Sequence, residues 1–184
     1  LGDRLRLAMA LRSRGGIANK QKDHVQAIYY YQRAAASFHT LQRPVQEANC
    51  MGNIGHVLFA KGKYEEAQQK LEKAIQVFTE VKRYRMVASF SITLGKIFAR
   101  KGAHQRSAHV LDQAISFIQG IGERGTLGLL LCSRAENFHL EGREAEAQET
   151  LNEAKLIAGE LELSQESFLV GLILELDPAF KVKQ

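Results

Sequence analysis

This sequence predicts an all-α solenoid, four antiparallel helix pairs closed by a C-terminal capping helix. Three observations carry that expectation. Small residues recur at a spacing of 40, at Gly15, Gly55, Gly95 and Ala135, and neighbouring columns repeat with them. Only 2 prolines interrupt 184 residues, there is no tryptophan, and Ala, Leu, Glu, Gln and Lys are frequent, which favours long helices over a turn-rich β architecture. At 45% apolar and 24% charged residues the chain can bury a core and is too apolar for intrinsic disorder.

Six further columns keep the same register. Twelve positions after each small residue stand Ala27, Ala67, Ser107 and Ala147; sixteen after stand Tyr31, Leu71, Leu111 and Leu151; nineteen after stand Ala34, Ala74, Ala114 and Ala154. Position +7 reads Lys22, Gly62, Gly102 and Gly142, position +3 reads Ala18, Leu58, Phe98 and Phe138, and position +23 reads Phe38, Phe78, Ile118 and Ala158. The units run over about 4–43, 44–83, 84–123 and 124–163, and each divides into two helices at its +7 residue.

In the first unit that dividing residue is Lys22 rather than glycine. In the second, Val45 to Lys61 shows apolar residues at three- and four-residue steps, and Gly62 supplies the positive φ that ends a helix. Tyr64 to Val81 then forms a second helix with Ala67, Leu71, Ala74, Ile75 and Phe78 on one stripe. Two helices of ~17 residues, each about 25 Å long, pack as an antiparallel pair. Small residues let the backbones approach while the larger side chains at +3 and +16 fill the space beside them. Ala74→Leu should therefore cost about 1–3 kcal/mol by overpacking; an unchanged melting midpoint would show that this column does not face the partner helix.

The third unit carries Ser107 in an alanine column, and the first and fourth carry Arg14 and Arg134 in a column that Ile54 and Leu94 fill with aliphatics. The outer units are expected to pack less tightly. Beyond them, Ser164 is expected to cap a ninth helix whose apolar stripe is Phe168, Leu169, Leu172, Ile173 and Leu176, and which Asp177-Pro178 stops. That capping helix, 164–177, covers the last pair and leaves a tail at 178–184. The connectors Leu41-Gln42-Arg43-Pro44, Val81-Lys82-Arg83-Tyr84 and Ile121-Gly122-Glu123-Arg124 stand in register with Leu1-Gly2-Asp3-Arg4. The sequence thus opens within a connector and without a methionine, which suggests a fragment of a larger protein.

These columns resemble the tetratricopeptide repeat, most closely in the second unit: Asn53-Ile54-Gly55, Leu58, Gly62-Lys63-Tyr64-Glu65-Glu66-Ala67, Leu71 and Ala74. The period of 40 resembles the longer-helix variant of Pins-type adaptors and bacterial regulators. The resemblance implies a right-handed superhelix whose inner wall, made by the first helix of each pair, binds an extended or helical peptide. Carried onto this chain, the groove positions include Arg12, Asn19, Asn49, Asn53, His56, Ser89, Lys96, Arg100, Glu136 and His139. Asn side chains both donate to and accept from peptide groups, while Arg and Lys neutralise acidic ones. Gly16 stands where the family's chaperone-binding clamp has asparagine, which argues against C-terminal chaperone peptides as the ligand.

Catalysis is not expected. Gly120-Ile121-Gly122-Glu123-Arg124-Gly125 satisfies a dinucleotide fingerprint in letters, but that motif works between a strand and a helix, and here a helix precedes it. No two of the 6 histidines have a metal-binding spacing, there is no phosphate loop or nucleophile elbow, and Glu144, Glu146, Glu149 and Glu153 fit a solvated helix face. No cofactor and no metal are implied. Cys50 and Cys132 suit reduced, cytoplasmic thiols, and the longest apolar run, Phe168 to Leu174, is far below the ~20 residues that span a bilayer. Residues 1–92 hold 15 Lys and Arg against 7 Asp and Glu, and residues 93–184 hold 10 against 13. The basic half suits a partner with acidic groups. Nucleic acid is the weaker reading, because no aromatic platforms interleave the basic residues. The function expected is a non-catalytic protein- or peptide-interaction module; the alternative is a ligand-sensing regulatory segment of a larger protein.

Overall fold

Every 20 residues the backbone turns into the left-handed region: at Lys22 (φ 60), Gln42 (φ 53), Gly62 (φ 74), Lys82 (φ 55), Gly102 (φ 71), Gly122 (φ 71), Gly142 (φ 79) and Glu162 (φ 50). Between these points the computed structural model, which describes residues 2–177, is helical. The elements are α1 (Gly2–Lys20), α2 (His24–Thr40), α3 (Pro44–Ala60), α4 (Tyr64–Glu80), α5 (Tyr84–Arg100), α6 (His104–Gly120), α7 (Arg124–Leu140), α8 (Glu144–Glu160) and α9 (Phe168–Leu176), with no strand among the described residues. The left-handed residue reverses the chain by pairing the last carbonyls of the helix before it. At the α3–α4 turn the Gly62 N–H donates to Phe59 O and the Lys63 N–H to Leu58 O, both at 2.9 Å. Starts are fixed as locally: Asp23 accepts from the Gln26 N–H at 3.0 Å before α2, and Pro44 opens α3.

Two boundaries differ from the sequence expectation. Gly2, Asp3 and Arg4 belong to α1 and not to a connector. Asp3 lies in the first turn, where a carboxylate complements the helix dipole, and Arg6 reaches it at 3.2 Å. At the other end α9 starts at Phe168 with Ser167 as N-cap, because Ser164 is spent in a turn: its carbonyl accepts the Ser167 N–H at 3.0 Å. The Leu1 end of the first connector, Pro178 and the 178–184 tail lie outside the described residues.

The small columns act as spacers within each pair. A Cβ built on Gly15 would stand 2.7 Å from the Tyr31 ring, one on Gly55 2.7 Å from Leu71 Cγ, and one on Gly95 3.0 Å from Leu111 Cγ. These are the small and +16 columns of the repeat, in contact across a pair. Ala74 is fully buried, in keeping with the overpacking expected there. Ser107 is also fully buried, and its hydroxyl finds no hydrogen-bond partner.

The chain divides into two compact units, Leu1–Thr93 and Leu94–Gln184, with the boundary inside α5. In the first, α1 pairs with α2 and α3 with α4, while α2 also packs on α3. Its core joins Ala8 and Leu11 of α1 with Ala34 and Phe38 of α2 and Cys50 of α3. In the second, α7 pairs with α8 and packs on α6, and α9 lies on both α7 and α8. Leu169, Val170 and Ile173 are the buried side of α9, and a Cβ on Gly128 of α7 would meet Leu169 at 2.6 Å. Lys155 of α8 ties down its end through Asp177 at 2.6 Å.

Candidate functional site

In the first unit, Asn49, Asn53 and His56 follow one another at steps of four and three and share a face of α3. Asn53 Nδ2 donates to Asn49 Oδ1 at 3.2 Å. His56 Nδ1 and Thr93 Oγ1 share a hydrogen bond of 2.9 Å, and the imidazole leans on Phe90 with ring centroids 5.2 Å apart. Burial pushes the His56 pKa down to about 4, so the ring is neutral near pH 7 and serves as a hydrogen-bonding group instead of a cation. Arg12 and Asn19 are half-buried on α1, and Ser89 is exposed on α5. The thiol of Cys50 is pushed up to about 12 by burial, against the opposing charge of Arg12. Cys132 is pushed up to about 12 for the same reason, so both free cysteines are buried protonated thiols and not nucleophiles.

In the second unit, three of the expected residues meet. Lys96 Nζ of α5 lies 2.9 Å from Glu136 Oε2 of α7, each side chain about three-quarters buried at 23% and 25% exposure. With Arg100 they line a cleft of about 290 Å³ whose other walls are Cys132, Ser133, Leu172, Glu175 and Leu176. The Ser133 hydroxyl in that wall is buried and has no hydrogen-bond partner. His139, in contrast, turns away from the cleft to the start of α8, where its Nδ1 lies 2.8 Å from Glu144 Oε1.

Thr93 stands in an expected groove column of α5, but its bond to His56 joins two helix pairs, so no spacing along α3 could reveal it. Sequence reasoning missed the contribution of α9. Leu172, Glu175 and Leu176 were read only as part of a cover, whereas α9 also supplies a wall of the cleft; the fold of the 164–167 turn, which sets where α9 lies, has no periodic signal. Among the described residues no group of three or more His, Cys, Asp or Glu is placed to hold a metal ion, and no helix is long and apolar enough to cross a membrane.

Helices of 17 residues, from α2 to α8, paired through small residues at a fixed spacing, define a helical-repeat protein. The match to the tetratricopeptide repeat model covers residues 6–80 and 46–120, and the chain belongs to that family. No curated protein matches it. Among solved structures it is similar to BtubC from P. vanneervenii, with a TM-score of 0.76 and 15% identity over 88% of this chain and 66% of that one. It is likewise similar to a Rap protein complexed with competence and sporulation factor, with a TM-score of 0.77 and 17% identity over 90% of this chain and 46% of that one. The apo form of RapI gives a TM-score of 0.80 and 16% identity over 97% of this chain and 49% of that one. The chain therefore spans less than two thirds of the length of each of these relatives in fold, and at such identities the likeness is one of fold.

Proposed function

We propose that the chain is a non-catalytic, cytoplasmic protein-interaction module that holds an extended or helical peptide against the polar faces of its first helices. The observation that carries this reading is the second-unit cleft, where Lys96, Arg100 and Glu136 surround space next to an unpartnered Ser133 hydroxyl. In the first unit, the Asn49–Asn53 pair leaves a carboxamide oxygen on Asn53 and an amino group on Asn49 to meet a peptide backbone. In this reading Arg12 and Asn19 of α1 and Ser89 of α5 add polar contacts in the first unit, and His139 adds one in the second. The Lys96–Glu136 pair refines the chemistry: a ligand must bring a carboxylate to compete with Glu136, or a donor to satisfy it.

Peptides selected from a displayed library on the wild-type chain should lose at least about tenfold in affinity with Asn49→Ala and Asn53→Ala, or with Lys96→Glu and Arg100→Glu, while helix content stays constant. Lys96→Gln with Arg100→Gln separates loss of a ligand contact from the repulsion that a new glutamate would meet at Glu136. Equal affinity across these variants would remove the first-helix faces from consideration. The second reading, a ligand-sensing segment of a larger regulator, draws on the similarity of fold to the Rap protein solved with a bound factor. It requires that the selected peptide alter amide exchange well beyond its contact residues.

A further inference from the structure

The charges that line the second-unit cleft are balanced and adjacent. Lys96 Nζ stands 2.9 Å from Glu136 Oε2, and Arg100 and Glu175 add one charge of each sign. Cys132 adds none at neutral pH, because burial pushes its thiol up to about 12. In the same wall Ser133 is 4% exposed, and its buried hydroxyl has no hydrogen-bond partner among the described residues. An orphaned buried hydroxyl lowers stability, and a ligand group that bonds to it removes that cost. Leu172 and Leu176 of α9 leave one side of the cleft apolar.

This lining restricts what can enter. Lys96 and Glu136 are each about three-quarters buried, so an occupant with a single charge would set that charge against its like with little water to screen it. A peptide terminus or an ionised side chain brings one charge. A free α-amino acid brings both, one carbon apart, and can lie antiparallel to the Lys96–Glu136 pair without breaking it. The size agrees: about 290 Å³ lies at the lower edge of the about 300–1,000 Å³ that small-molecule sites occupy.

We propose that this cleft binds a free α-amino acid with an aliphatic side chain, its carboxylate on Lys96 and Arg100, its ammonium on Glu136 and Glu175, and its side chain against Leu172 and Leu176. The inference rests on the reading of the chain as a ligand-sensing segment and names the ligand. The Ser133 hydroxyl, which can donate or accept, gains the partner it lacks. Residues 178–184 carry Lys181 and Lys183 but no Asp or Glu, so their side chains have no carboxylate to set on Lys96 and Arg100.

Isothermal titration of the whole chain with L-leucine should give saturable binding. Leucinamide lacks the carboxylate, N-acetyl-leucine lacks the ammonium and glycine lacks the aliphatic chain, so each should bind at least about tenfold more weakly. Lys96→Gln with Glu136→Gln removes both charges and strands neither, and should weaken leucine at least about tenfold while helix content holds. Ser133→Ala should also weaken leucine and, by deleting the orphaned hydroxyl, raise the melting midpoint of the free chain, which keeps the test decisive if the double variant folds poorly. No saturable leucine binding overturns the proposal, as does equal affinity for leucinamide or N-acetyl-leucine, or equal affinity in the double variant. If leucine binds but alters amide exchange only at the cleft, the site stands and the sensing role fails. If selected peptides bind and leucine does not, the amino-acid site fails and the peptide-binding module remains.

Discussion

Gly52→Ala is expected to lower the unfolding free energy by about 3 kcal/mol, although alanine is the better helix former by about 1 kcal/mol. The added methyl would stand 2.2 Å from Phe90 Cζ and 2.4 Å from Cε1. The ring cannot withdraw: Phe90 is 1% exposed and wedged between Phe78, at 5.7 Å between centroids, and His56, at 5.2 Å. Something must shift in a packed interior, and α3 and α5 would have to separate. Urea titration reads the loss directly. Combining Gly52→Ala with Phe90→Leu, which removes the opposing ring atoms, should make the two changes non-additive in the favourable direction. Additive losses would show that Gly52 is not the seat of this ring.

The second large effect is a pH dependence. His56 is neutral in the folded chain down to about pH 4, whereas an unfolded histidine takes up its proton near pH 6.5. Between those values the unfolded state binds the proton and the native state does not, so stability falls as pH falls from about 6.5 towards 4, by roughly 3 kcal/mol for this one group. Above pH 6.5 the contribution is flat. His56→Gln keeps a polar group near Thr93 and removes the titration, so stability curves of the two proteins should converge as the pH is lowered across this window. Parallel curves would mean that His56 is charged or solvated in the native state.

Much of the architecture was legible because its determinants are small residues at a fixed spacing. Gly15, Gly55 and Gly95 announce close approach, and their partners Tyr31, Leu71 and Leu111 sit in another conserved-spacing column of the same chain. The places of the turns were legible from the period, at Lys22 and in the connectors that hold Gln42 and Lys82 as well as at Gly62, Gly102 and Gly142. Their left-handed backbone was legible only where glycine marks it, because nothing in the chemistry of Lys22, Gln42, Lys82 or Glu162 announces it. The candidate site was less legible still. A column says which helix face a residue occupies, not which neighbour completes its bonding. Thus Lys96 reads as an available cation until α7 brings Glu136 to it, and His56 reads as a basic group until burial holds it neutral. His139 occupies an expected groove column, yet the local turn hands it to Glu144.

The four side-chain-bearing residues at the reversals leave the molecule with untapped robustness. Each left-handed L-residue costs about 1–2 kcal/mol in the folded chain, and glycine would remove that at the smaller expense of a looser unfolded ensemble. Lys22, Gln42, Lys82 and Glu162 are all exposed and stand outside both helix faces. The joints can therefore be hardened without altering what the faces recognise, so endurance and selectivity in this scaffold can evolve, or be engineered, along separate axes.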